Sequence, residues 1–114
     1  MGECVFCKII RKEIPSTIYL ENEKVIAIKD INPAAPVHVL IIPKEHIENV
    51  KDINENNGKI LVDIHLAANK VADELGISQK GYRLITNVGK DAGQTVFHLH
   101  YHLLGGMEMG EKII

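Results

Sequence analysis

Apolar and polar positions follow different periods in successive parts of the chain. Over residues 5–12, Phe6, Ile9 and Ile10 recur at spacings of three and four until Ile14-Pro15 interrupts them, which predicts a short helix. Two β-rich runs, 17–20 and 25–29, flank the polar turn Glu21-Asn22-Glu23-Lys24 and predict an antiparallel hairpin. Residues 37–42 form a nearly unbroken apolar run between Pro36 and Pro43, the pattern of a strand buried on both faces in mid-sheet. Over 54–75, Ile60, Leu61, Ile64, Ala68, Val71, Ala72 and Leu75 share one helical face, and Gly76 can cap the end. Residues 82–87 and 98–104 supply two further strand patterns, joined by the glycine-bearing loop 88–96 and closed by Gly105-Gly106. The tail after Gly106 has no period. These elements predict an α+β fold: a five-stranded, largely antiparallel sheet with one long helix and a short amino-terminal helix, forming one domain over 1–114.

Composition narrows the function classes. A chain of 114 residues that is 46% hydrophobic can build one modest core. Its apolar runs fall far short of the roughly 20 residues that span a bilayer, and no basic region followed by an apolar one opens it, so a soluble, cytoplasmic protein is expected. Thirteen basic and fifteen acidic residues give a net charge of -2, with the lysines scattered, which argues against long nucleic acid as a partner. The only two cysteines, Cys4 and Cys7, are spaced C-x-x-C, which in an intracellular protein points to metal or redox chemistry. A redox pair should precede the helix of a thioredoxin-like βαβ unit, and no such unit is predicted. With two histidines the pair would complete a Cys2His2 zinc shell, although spacing alone does not choose the histidines.

The densest chemistry lies in His98-Leu99-His100-Tyr101-His102. On a strand the three histidines share one face, and Leu99, Tyr101 and Leu103 share the other. Stability does not account for three imidazoles there, since each brings polar atoms that must find partners. A solvated histidine face is the bland alternative. A neutral imidazole is a competent nucleophile near pH 7, can be held in one tautomer by a bond to its second nitrogen, and forms a labile bond to phosphorus, which suits phosphoryl or nucleotidyl transfer. Metal binding by all three is disfavoured, because alternate residues of one strand seldom close a tetrahedral shell, although one of them can serve a metal. His38, inside the buried run, reads as a hydrogen-bonded core residue, and His65 as solvated or half-buried on the helix; neither is assigned to the site.

The segment 98–104 resembles the histidine triad pattern, and the likeness extends through Phe6-Cys7-Lys8-Ile9-Ile10, Asp30-Ile31, the run from Pro36 to His46 with Ile42-Pro43-Lys44, Asn87-Val88-Gly89 and Gly93-Gln94-Thr95. It is most similar to the nucleotide-binding, nucleoside phosphoramidase branch of the histidine triad family. The resemblance implies that His100 attacks the α-phosphorus and forms a nucleotidyl-histidine, with the His98 carbonyl fixing its tautomer and His102 holding a phosphate oxygen. It further implies that Asn87, Gln94 and Thr95 contact the phosphate or leaving group, Thr95 within the catalytic set, and that the Gly93 loop brings backbone N–H groups to an anion. Asp30 would bind the ribose hydroxyls, and Ile28 and Ile31 would wall the base pocket. Each of these residues also has a local alternative, such as Asp30 capping a turn before Pro33.

The same resemblance implies a structural zinc held by Cys4, Cys7, His46 and His98, no cofactor for catalysis itself, and a homodimer that joins two sheets through the long helix and an edge strand. The tail 107–114 departs from relatives whose aromatic-containing tail shapes the partner's site, because it carries no aromatic residue. The activity implied is hydrolysis of the P–N bond of purine nucleoside 5′-phosphoramidates such as AMP-lysine or adenosine phosphoramidate. Hydrolysis of dinucleoside polyphosphates, or a nucleotide-responsive interaction module with incidental turnover, are the alternatives.

Overall fold

The computed structural model describes residues 4–114. Its first element, α1 (Val5–Ile10), is capped by the Cys4 thiol, which accepts from the Cys7 amide. It ends two residues before the predicted 12 because Lys12 adopts a left-handed φ of 65°. There the Glu13 and Lys12 amides bond to Lys8 and Ile9 carbonyls, a Schellman closure with lysine where glycine is usual. The strands β1 (Ile18–Glu21) and β2 (Val25–Lys29) form the predicted hairpin, and β3 (Val37–Pro43) follows it.

A single 3₁₀ turn at Val50–Asp52 precedes α2 (Lys59–Glu74), the long helix. The helix begins five residues later than the predicted 54. Asn54 and Asn57 use their side-chain oxygens to accept backbone amides of Asn54, Asn56 and Asn57, so the polar turn competes successfully with helix. After β4 (Tyr82–Ile85) comes β5 (Tyr101–Gly105), and the sheet runs β1-β2-β3-β5-β4 with every pair antiparallel.

Strand alternation then divides the core. Val25, Ala27, Val39, Ile41, Leu99 and Leu103 pack under α2 against Ile60, Ile64, Ala68 and Val71. Ile26, Ile28, Leu40 and Ile42 point the other way and pack against Phe6 and Ile9 of α1. β3 is therefore buried on both faces, as its unbroken apolar run predicts.

The predicted strand 98–104 is corrected at its start. Ladder pairing of β3 with β5 begins at Ile41 opposite Tyr101, so His98 and His100 lie ahead of it. Pro43 has no N–H to extend the ladder, and its carbonyl is taken by the His98 ring. The Leu99 amide bonds instead to the Ile47 carbonyl, and the His100 carbonyl accepts from the Thr86 hydroxyl. The chain bends at His98, yet Leu99 and Leu103 still pack into the core under α2 while the His98 ring turns to the cysteines, so the predicted separation survives without a regular ladder.

Candidate active site

Each histidine of the cluster is held by a bond that fixes which nitrogen carries its proton. His100 Nδ1 lies 2.8 Å from the His98 carbonyl oxygen. A carbonyl can only accept, so Nδ1 bears the proton and Nε2 keeps a free lone pair, the requirement for a nucleophilic imidazole. Phe6 stands edge-on to this ring at a centroid distance of 4.9 Å and to His98 at 6.0 Å.

His102 is set the opposite way. The Ala34 amide donates to His38 Nδ1 at 2.9 Å, which leaves the His38 proton on Nε2, facing His102 Nδ1 at 2.9 Å. His102 Nδ1 therefore accepts, and its own proton occupies Nε2, ready to donate to an anionic oxygen. Burial holds the His102 pKa below the ordinary imidazole value, and the neighbouring His100 and His38 lower it further, against a smaller raising effect from Asp30. A lone pair on one ring and an N–H on the next, with centroids 5.1 Å apart, can attack and grip the same phosphate.

His38, which sequence reasoning left out of the site, is joined to the histidine cluster. It is hydrogen-bonded, as expected of a histidine in an apolar strand, but its partner is His102, which it faces diagonally across the β3–β5 pair. Asp30 Oδ2 lies 3.3 Å from the same His38 Nε2. A polar ring on an otherwise apolar strand was the available signal. His65 is exposed and makes a T-shaped contact with Tyr101, at 5.4 Å between centroids.

The loop after β4 departs from the sequence expectation in two residues. Gln94, only 5% exposed, spends its whole side-chain amide inside the protein. Its oxygen accepts from Asn49 Nδ2 and the Gly89 amide, and its nitrogen donates to the carbonyls of Glu48 and Val96. Nothing is left for a ligand, so Gln94 braces the loop instead of contacting phosphate. Gly93 takes a φ of +85°, and its amide closes a turn onto the Lys90 carbonyl, while the Gln94 amide bonds to Gly89. Those N–H groups are likewise unavailable to an anion. Asn87, half-buried, and Thr95, exposed, flank this braced turn, and their side chains have no hydrogen bond among the described residues. Ile28 is buried against Phe6, whereas Ile31 stands 88% exposed beside Asp30.

Next to the histidines, Cys4, Cys7, His46 and His98 bring four ligand atoms within 4.8 Å of one another. Cys4 Sγ is 3.4 Å and Cys7 Sγ 3.6 Å from His98 Nδ1, and Cys7 Sγ is 3.3 Å from His46 Nδ1. A tetrahedral zinc with ordinary bond lengths requires S···N separations of about 3.5 Å, so the residues fit this ion. The fully buried His98 donates from Nε2 to the Pro43 carbonyl at 2.8 Å, which turns the Nδ1 lone pair toward the thiols.

Comparison with known proteins agrees with this arrangement. The family described as "Scavenger mRNA decapping enzyme C-term binding" matches residues 3–113. The purine nucleoside phosphoramidase of Escherichia coli (strain K12) is 45% identical over 111 residues, covering 97% of this chain and 93% of that protein. A HIT family hydrolase from Clostridium thermocellum is 76% identical with a TM-score of 0.98, covering 100% of this chain and 99% of the other. A histidine triad protein from Clostridium difficile superposes with a TM-score of 0.92 at 45% identity, covering 98% and 99% of the two chains. By its sequence across nearly the whole length, its sheet and its row of histidines, the chain belongs to the histidine triad family.

Proposed function

We propose that this chain is a nucleoside 5′-phosphoramidate hydrolase acting on purine nucleotides. The opposed tautomers of His100 and His102 carry this reading. His100 Nε2 attacks the α-phosphorus, a bond forms between that nitrogen and phosphorus, and the P–N bond to the amine breaks as the amine takes up a proton from solvent. The His98 carbonyl stabilises the cationic ring through Nδ1–H, and His102 Nε2–H holds a phosphate oxygen. Water then attacks phosphorus, the bond to His100 breaks, a proton returns to solvent, and the nucleoside monophosphate leaves. The E. coli relative's name supports purine phosphoramidates as the substrate class.

In this reading Asp30 binds the ribose hydroxyls, Ile31 and the buried Ile28 flank the base, and Asn87 and Thr95 approach the phosphate and leaving group. Zinc held by Cys4, Cys7, His46 and His98 supplies a cross-link that ties the amino terminus of α1 to the histidine segment, with no part in the reaction. Residues 1–114 act as one domain in a cytoplasmic homodimer. The exposed Val62 and Leu66 of α2, at 55% and 54%, and the open edge of β4 support that assembly. No helix among the described residues is long and apolar enough to cross a membrane.

The test is turnover of adenosine 5′-phosphoramidate beside a diadenosine polyphosphate. The reading expects kcat/KM for the phosphoramidate to exceed that for the polyphosphate by at least about tenfold, about 1.4 kcal/mol of transition-state preference. Equal rates, or a preference for the polyphosphate, would contradict it.

A further inference from the structure

The ladder between β4 and β5 ends at Ile85 opposite His102. Main-chain groups of alternate residues in a strand point to the same neighbour, so the His100 carbonyl, two residues ahead of His102, also turns toward β4. Continued in register, the ladder would set Asn87 opposite His100. No such pair forms, because β4 has ended, and the His100 carbonyl accepts instead from the Thr86 hydroxyl at 2.9 Å. On the other flank β3 gives His100 no pair either, since its ladder with β5 stops at Ile41 opposite Tyr101. Two bonds therefore fix the residue. The ring is tied through Nδ1 to the His98 carbonyl at 2.8 Å, which sets its rotation. The main chain is tied to Thr86, which sets where that ring stands relative to the end of β4.

We propose that Thr86 is a positioning residue for His100, and that its hydroxyl holds the attacking nitrogen at a set distance from Asn87, the residue that follows it. The inference rests on the readings of His100 as nucleophile and Asn87 as phosphate contact. Thr86 and Asn87 are neighbours in the chain, so one hydrogen bond links the group that attacks to the group that meets the phosphate. Without it the segment 98–100, which lacks ladder pairing, can shift against the sheet. A misplacement of about 1 Å at reacting atoms can cost about 10²-fold in rate. A water molecule in place of the hydroxyl would bond the carbonyl but would not tie it to β4.

Nucleotide binding in the ground state relies on groups other than His100 Nε2, so loss of the tie falls on kcat. A residue that only shaped the nucleotide pocket would change KM. Valine has the shape of threonine and suits a strand as well, so Thr86→Val removes the donor alone.

The experiment compares wild type, Thr86→Val and Thr86→Ser in kcat and KM for adenosine 5′-phosphoramidate, well below each thermal midpoint, and in ring ¹⁵N spectra of His100. Thr86→Val should lose about tenfold in kcat with KM within about twofold, and Thr86→Ser should restore most of that rate. The His100 ring signals should be single and sharp in wild type and Thr86→Ser, and broadened or doubled in Thr86→Val. Wild-type kcat in Thr86→Val, or a raised KM alone, would overturn the proposal. So would an equal loss in Thr86→Ser, which would assign the effect to the methyl group. If wild type turns over no phosphoramidate, the reading of the activity is what fails. The spectra then decide alone, since unchanged His100 signals in Thr86→Val overturn the positioning role and altered signals uphold it.

Discussion

The carbonyl oxygen of His98 accepts from His100 Nδ1 at 2.8 Å, while the ring of the same His98 faces Cys4 and Cys7 through Nδ1. One residue thus joins the cysteine cluster to His100: its Nδ1 faces the thiols and its main chain holds the other ring. The link is covalent and short, so disorder at the cluster should reach His100 directly.

Substitution of Cys7 tests that link. Cys7→Ser should bind less zinc by elemental analysis and lower the thermal midpoint by about 10 °C, a loss of ~3 kcal/mol for a domain of this size. Its kcat should fall about tenfold, as for other residues that orient a reactive group indirectly. Wild-type protein that carries no zinc when freshly purified, and melts unchanged in a chelator, would contradict the assignment.

Gln94 offers a test that separates bracing from ligand contact. Gln94→Ala strands the Asn49 side chain, the Gly89 amide and the Glu48 and Val96 carbonyls, and should cost about 2–4 kcal/mol in urea unfolding. Gln94→Glu should also destabilise, because a carboxylate cannot donate to the two carbonyls. A variant with wild-type stability but raised KM would instead make Gln94 a ligand contact.

The pH dependence of stability follows from His102. Burial lowers its pKa in the folded protein below the ordinary 6.5, so between those two values the unfolded chain binds the extra proton. Its contribution to stability is complete above pH 6.5, declines as pH falls from there to the folded pKa, and is constant below it. Urea midpoints at pH 7.5 and 5.5 should differ more for wild type than for His102→Gln. An equal difference in both would show that His102 is not buried neutral.

The parts of this molecule legible in its sequence were those governed by one local rule. The apolar periods of β2, β3 and α2 located the core, and the alternation at 98–102 placed the histidines on one face although 98–100 lack ladder pairing. The late start of α2 was hidden because asparagine side chains, not apolar spacing, decide the conformation of 54–57. Two residues have surroundings that the sequence does not show, for a common reason. Gln94 and His38 are separated by long stretches of chain from Asn49 and His102, and only the fold shows that one is saturated and the other joined to a functional ring. The family resemblance implied an anion loop at Gly93, yet the direction of its amides depends on a turn that the sequence does not specify.

The nucleophilic role proposed for His100 is open to direct observation. Rapid acid or base quenching of the protein with adenosine 5′-phosphoramidate, followed by peptide mass spectrometry, should find one nucleotidyl group on His100, stable to base and labile to acid. His100→Gly should show no adduct and lose at least about 10³-fold in kcat, by analogy with other covalent catalysts stripped of their nucleophile. A nucleotidyl group on another residue, or full turnover by His100→Gly, would contradict the mechanism.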